Sequence, residues 1–242
     1  MSRFRTAANA MTLSEHLVEA RRRFLIIIVV LGLMSTASFF LYPQLLHILQ
    51  SPYCHASPQH CQFLATSPLD GLSIRCKLSL YCGLLFTLPV ALWEAWRFVT
   101  PGLKSAERKY ALPFIAATIV FFLLGVVVAY FTFDHALAWL ASIGGSHIET
   151  LYNPNQYLTL FILMMVIFGI TFEFPVILVA LELARVVTPA QLLHRWRYAI
   201  IGITIFTAVV TPSSDPFSMM ALAVPLTLFY FISIGVGKLC RR

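Results

Sequence analysis

Charge is what this sequence holds least of. Only 11% of its 242 residues are Asp, Glu, Lys or Arg, where a soluble domain carries about 25%. With 59% hydrophobic residues as well, a single soluble domain is excluded and an all-α polytopic membrane protein is expected. The motifs of enzyme chemistry are also missing. There is no HExxH, no GxSxG, no pair of intramembrane aspartates at helical spacing and no glycine-rich phosphate loop. No catalytic residue and no cofactor are expected, and the chain is read as non-enzymatic. The five cysteines have no metal-ligand spacing, so no metal is expected. Cys54 and Cys61 share one external loop, where a disulfide and two free thiols are both open readings.

Long apolar runs take the place of charge. A window near 19 residues finds six of them, at about 24–42, 73–95, 112–133, 156–184, 198–211 and 217–236. Five are long enough to cross a hydrocarbon core of about 30 Å as helices. The fifth reaches only about 21 Å at helical rise. Joined to the sixth through TPSSDP, it predicts a short final hairpin. All 17 Lys and Arg except Arg75 and Lys77 lie before segment 1, between segments 2 and 3, between 4 and 5, or after 6. That is the positive-inside pattern for six transmembrane helices with N- and C-termini cytoplasmic. The net charge of +7 is thereby a topology signal, and no nucleic-acid partner is needed to explain it. RRRFL before the first run imitates a cleavable export signal, but an apolar run of about 19 residues is too long for one. With no transit-peptide composition ahead of it, a multi-pass protein of a bacterial inner (cytoplasmic) membrane is expected.

Residues 1–242 are read as a single six-helix membrane domain, opened by an interfacial amphipathic helix around 12–23 that then turns into the membrane. Thr12 and Glu15 have capping-box spacing. Leu13, Leu17, Ala20 and Phe24 share one helical face, with Glu15, Glu19 and Arg22 opposite. Glu15 and Glu19 sit four apart and repel unless a cation lies between them. The plainer reading pairs Glu19 with Arg22 or Arg23. In the next cytoplasmic loop, WEAWRFVTPGLKSAERKY, Pro101 and Gly102 set a turn. Glu107 is the acid among Lys104, Arg108 and Lys109.

The stretch FGITFEFPVILVALEL places Glu173 inside the fourth run, two residues before Pro175. Pro175 removes its own amide from the helical ladder and frees the carbonyl of Thr171, which predicts a bend. A carboxylate at that depth costs about 2.5–3.5 kcal/mol if it faces lipid. It must therefore meet another helix or a wet cavity. One reading is a structural hydrogen bond to a neighbouring helix. The other is a polar notch where a transmembrane segment docks.

These residues resemble the TatC family, the membrane receptor subunits of the twin-arginine protein translocase. The resemblance runs through HLVEARRRF, SPLDGL with Lys77, LPVALWEAWRFVTPGLKSAERKY, LLGVVVAYF, FGITFEFPV, RWRYAI and VVTPSSDPFSMMALAVPL. It implies capture, on the cytoplasmic face, of signal peptides with paired arginines on folded cargo. It also implies single-span TatA- and TatB-type partners and a homo-oligomer within a receptor complex. By motif match, Glu19 and Glu107 meet the signal guanidinium groups, which favour bidentate carboxylates in a way lysine cannot reproduce. Glu15, Phe98, Pro101 and Gly102 would shape the same surface. Glu173, Pro175, Thr171, Lys77 and Asp215 are candidates for an intramembrane polar or partner site. A secondary transporter of a small solute or ion, coupled through Glu173 and Lys77, is the competing reading.

Overall fold

The computed structural model describes residues 13–56, 68–99, 111–143, 153–183, 185–213 and 215–240. Among them no strand occurs. Lipid offers no hydrogen bonds to an open backbone, and helices satisfy every amide internally. In chain order the helices are α1 (Leu13–Phe40), α2 (Tyr42–Ala56), α3 (Asp70–Val99), α4 (Ala111–Ile143), α5 (Pro154–Thr171), α6 (Phe174–Leu183), α7 (Pro189–His194), α8 (Trp196–Val210) and α9 (Pro216–Cys240). Five spans are long and apolar enough to cross a membrane, with α5 and α6 together forming one of them; α8 is a shorter apolar helix. These are the six expected spans. The charge pattern sets both termini on the cytoplasmic side.

Two elements differ from expectation. First, α1 is continuous from Leu13 to Phe40, so the interfacial helix at 12–23 does not turn before the span. No Gly or Pro interrupts residues 13–31. At 1.5 Å per residue the helix is about 42 Å long, and its first turns extend past the hydrocarbon. Second, α2 occupies the first external loop. Leu45, Leu49 and Tyr53 recur every four residues and bury one face, a stripe that a hydropathy window averages away. Tyr157 and Tyr130 donate hydroxyl hydrogen bonds to the carbonyls of Leu49 (2.7 Å) and Ile48 (3.1 Å), fastening α2 over the external ends of α4 and α5. Cys54 of α2 is disulfide-bonded; Cys61 lies outside the described residues.

The bend expected near Pro175 is a full break. α5 ends at Thr171, Phe172 and Glu173 form a turn, and α6 restarts at Phe174. α6 ends in a six-to-one turn, with Val186 N–H donating to Leu181 C=O (3.0 Å) and Arg185 in the left-handed region at φ 59°. Thr188 and Gln191 cap α7 reciprocally.

The main core joins α2 to α5. Phe133 stacks on Phe161 with ring centroids 4.2 Å apart, and Leu78, Phe122, Phe168 and Leu222 are sealed around them. α4 and α5 cross closely: a Cβ at Gly125 would lie 2.6 Å from the Phe168 carbonyl oxygen and 2.9 Å from Gly169 Cα. α1 is held mainly by α3. There a Cβ at Gly83 would lie 2.6 Å from Ser35 Cα. Arg75 donates to the Phe39 carbonyl at the end of α1 (3.1 Å) and lies over the Phe39 ring. A smaller core, Ile203 with Leu226, Tyr230 and Ile234, ties α8 to α9.

Candidate functional site

At the cytoplasmic ends of α1 and α3, a guanidinium lies between two carboxylates. Glu19 and Arg23 are one helical turn apart on α1, which puts them on the same face. Arg23 Nε donates to Glu19 Oε1 at 3.1 Å, and Arg23 Nη2 forms an ion pair with the same oxygen. Arg23 Nη1 reaches across to α3 and donates to Glu94 Oε2 at 2.7 Å. Arg97 approaches the other Glu94 oxygen at 3.9 Å. The side chains of Arg23, Glu19 and Glu94 are only 15%, 20% and 10% exposed. Such an ion group is far better shielded from water than a surface pair. Glu19 Oε2 is buried and accepts no hydrogen bond among the described residues.

A second polar chain starts two residues after Glu94, toward the cytoplasmic end of α3. Trp96 Nε1 of α3 donates to Thr118 Oγ1 of α4 at 2.7 Å. Thr118 is in turn hydrogen-bonded to the carboxylate of Glu173, in the break between α5 and α6. Thr118 is fully buried and Glu173 is 5% exposed. Glu173 Oε1 has no partner among the described residues. The acid therefore faces neighbouring helices rather than lipid, as its solvation cost demands.

Two apolar cavities flank that break. One, of about 310 Å³, is lined by Phe114, Phe121, Pro175, Val176 and Phe229, between α4, α6 and α9. The other, of about 460 Å³, is lined by Thr171, Phe174, Gly202, Phe206 and Leu226, between the broken span, α8 and α9. Nearer the cytoplasm, Glu182 of α6 is 1% exposed. It occupies the notch left by a missing side chain on α9: a Cβ at Gly237 would lie 1.4 Å from Glu182 Oε2.

The family model of "Sec-independent protein translocase protein (TatC)" matches residues 15–225. The chain belongs to the TatC family. It is 35% identical to the TatC protein of Frankia casuarinae, over 96% of this chain and 67% of that one. To the TatC protein of Aquifex aeolicus it is 34% identical, over 96% and 97%. The crystal structure of a twin-arginine translocase receptor TatC superposes with a TM-score of 0.75 at 33% identity, over 94% of this chain and all of that one. The TatC likeness is thus one of whole chain and whole fold.

Within this TatC fold the residues singled out from sequence fall into separate places. Glu19 lies in the ion group. Phe98 is half-buried at the end of α3. Glu15 lies in the first turn of α1, its side chain outside the described residues, as are Pro101, Gly102 and Glu107 altogether. Pro175 and Thr171 border the cavities beside Glu173. Asp215 sits at the outer hairpin, where its Oδ1 accepts from Ser218 N–H (2.7 Å) and caps α9. Lys77 is exposed on the outer half of α3. It precedes Trp96 by nineteen residues on one helix, about 28 Å of depth. Glu173 reaches Trp96 through Thr118, so Lys77 and Glu173 lie at different levels and share no contact among the described residues. The solute-transporter reading is corrected accordingly: neither this separation nor any relative supports it.

Sequence reasoning passed over Glu94, Thr118 and Glu182. Each stands in a stretch quoted for another reason or inside an apolar run. Their partners lie on other helices, which helical spacing cannot register.

Proposed function

We propose that this chain is the receptor subunit of a twin-arginine translocase in a bacterial inner membrane. It binds twin-arginine signal peptides on its cytoplasmic face and moves folded proteins across the membrane together with TatA- and TatB-type single-span partners. Its role is binding and passage rather than enzymatic chemistry, and it works as a homo-oligomer within a receptor complex. The observation that carries the reading is the shielded carboxylate site at the cytoplasmic ends of α1 and α3, in a chain matched end to end by translocase relatives. Half-buried carboxylates attract guanidinium groups strongly and bind them with planar, two-pronged geometry. Glu107, close to α3 in sequence, supplies a further acid by motif match. Glu173, with Thr171 and Pro175, forms the intramembrane notch at which a partner or signal segment docks.

The test is binding of a twin-arginine peptide, against its paired-lysine counterpart, to the purified chain in nanodiscs. Glu19→Ala and Glu107→Ala should each weaken the arginine peptide by about 10- to 150-fold, equivalent to about 1.5–3 kcal/mol for a lost charged hydrogen bond. Equal affinity for both peptides, or no effect of either substitution, would refute the receptor reading.

A further inference from the structure

The ion group at α1 and α3 shows what its carboxylates bind, because a guanidinium is already in place. Arg23 offers Nε and Nη2 to one acid and Nη1 to another. That is the contact a signal-peptide arginine would make. Glu94 is not among the residues to which the family resemblance gives a role, yet it is the most buried member of the group and accepts from Arg23 Nη1 at 2.7 Å. We propose that Arg23 is an internal stand-in for a signal arginine, and that Glu94 is the second carboxylate of the subsite that Arg23 vacates when the signal docks. This rests on the receptor reading above and adds to it an occupant and a residue.

Charge and hydrogen bonding both leave room for the exchange. One half-buried guanidinium serves two carboxylates, and Glu19 Oε2 still lacks a hydrogen-bond partner among the described residues. The exposed Arg97 reaches Glu94 at only 3.9 Å and is 57% exposed. Nothing need unfold for Arg23 to leave. A long arginine side chain on the first turns of a membrane helix can reach the phosphates of the cytoplasmic leaflet by rotamer change alone. The pairing of α1 with α3 does not depend on it either, since Arg75 on the Phe39 carbonyl and the Gly83–Ser35 approach hold the outer half.

An internal occupant lowers apparent affinity by the fraction of time the site is free. The stand-in also screens the site: a weak cation such as a lysine must still displace an arginine that bridges two carboxylates, which favours a guanidinium of equal bonding power. Glu94 then matters twice, holding Arg23 in the resting receptor and the signal arginine in the loaded one.

The experiment measures binding of a synthetic twin-arginine signal peptide and its paired-lysine version to the full chain in nanodiscs. Arg23→Gln should tighten the arginine peptide by about tenfold, for a site that is closed about nine-tenths of the time. Glu94→Gln added to Arg23→Gln should abolish that gain and weaken binding below the wild-type level. Arg22→Gln removes the same charge from an exposed neighbour and should change affinity by less than about twofold, as a screened surface charge does. Arg23→Lys should fall between wild type and Arg23→Gln, and it decides the matter alone if Arg23→Gln does not fold. Unchanged or weaker binding in the Arg23 variants, or equal tightening by Arg22→Gln, overturns the stand-in. Retention of the full gain in the Arg23→Gln, Glu94→Gln double variant overturns the role of Glu94. Wild-type protein that does not distinguish the two peptides overturns the receptor reading, and the inference with it.

Discussion

Replacing Thr118 by valine removes one hydroxyl and almost no volume. Thr118 is fully buried, and its Oγ1 accepts from Trp96 Nε1 at 2.7 Å while the same hydroxyl serves the Glu173 carboxylate. The substitution therefore cuts two interhelical hydrogen bonds at once, joining α3 to α4 and α4 to the break between α5 and α6. Interhelical hydrogen bonds inside membranes contribute about 0.6 kcal/mol on average and up to about 1.7 kcal/mol. Leaving a buried acid short of a partner raises the cost, so a loss of about 1–3 kcal/mol is expected. Thr118→Ser keeps the hydroxyl and deletes a methyl group, costing about 1 kcal/mol of packing. Thermal unfolding in nanodiscs, followed by tryptophan emission, should rank wild type above serine above valine. The valine variant should also lose the indole's hydrogen-bonded emission while remaining inserted. A valine variant as stable as wild type, with unchanged emission, would show that the hydroxyl carries no polar link to Glu173.

The other expectations concern the notch, the helix crossing and the outer loop. Glu173→Gln should retain much of the transport, because an amide can still pair with Thr118. Glu173→Leu should stay in the membrane and bind the signal, yet lose transport in a vesicle import assay; wild-type import by the leucine variant would refute the notch. Gly125→Ala puts a Cβ 2.6 Å from the Phe168 carbonyl oxygen, where backbone cannot yield, and should cost about 1–3 kcal/mol of unfolding free energy. Gly202→Ala meets nothing within 4 Å and should leave the unfolding transition within about 0.5 kcal/mol of wild type. Cys54 is bonded and Cys76 is exposed; mass mapping after alkylation in isolated membranes should find Cys54 unmodified until a reductant is added.

The spans were legible because lipid forces one solution on the backbone, and because Lys and Arg placement marks the cytoplasmic side without reference to contacts. The break at Glu173 was legible for a similarly local reason, since Pro175 acts on its own turn. α2 was not, because its buried stripe of Leu45, Leu49 and Tyr53 is diluted by the polar residues of an external loop. Half of the ion group was visible: Glu19 and Arg23 are four residues apart. Glu94 was hidden because it meets Arg23 from 71 residues further along. The same applies to Thr118, a lone hydroxyl in an apolar run, and to Glu182, whose place depends on the absence of a side chain at Gly237. Local chemistry announces itself in sequence, and pairing between helices does not.

The division into two cores makes the molecule stiff on one side and yielding on the other. Around Phe133 and Phe161, aromatic stacking, the Gly125 crossing and the tyrosine ties to α2 must all fail together for anything to move. Along α8 the situation is reversed: Ile203 and Thr207 are its only buried residues, and four side chains make up the small core it shares with α9. At 15 residues, or about 22 Å, this helix also falls short of the hydrocarbon it borders, so lipid there is already deformed. Elastic work done on the protein therefore concentrates at the α8 margin, an element with little to lose by opening. A load arriving at the rigid face is transmitted across it, and the compliant wing is where it is released.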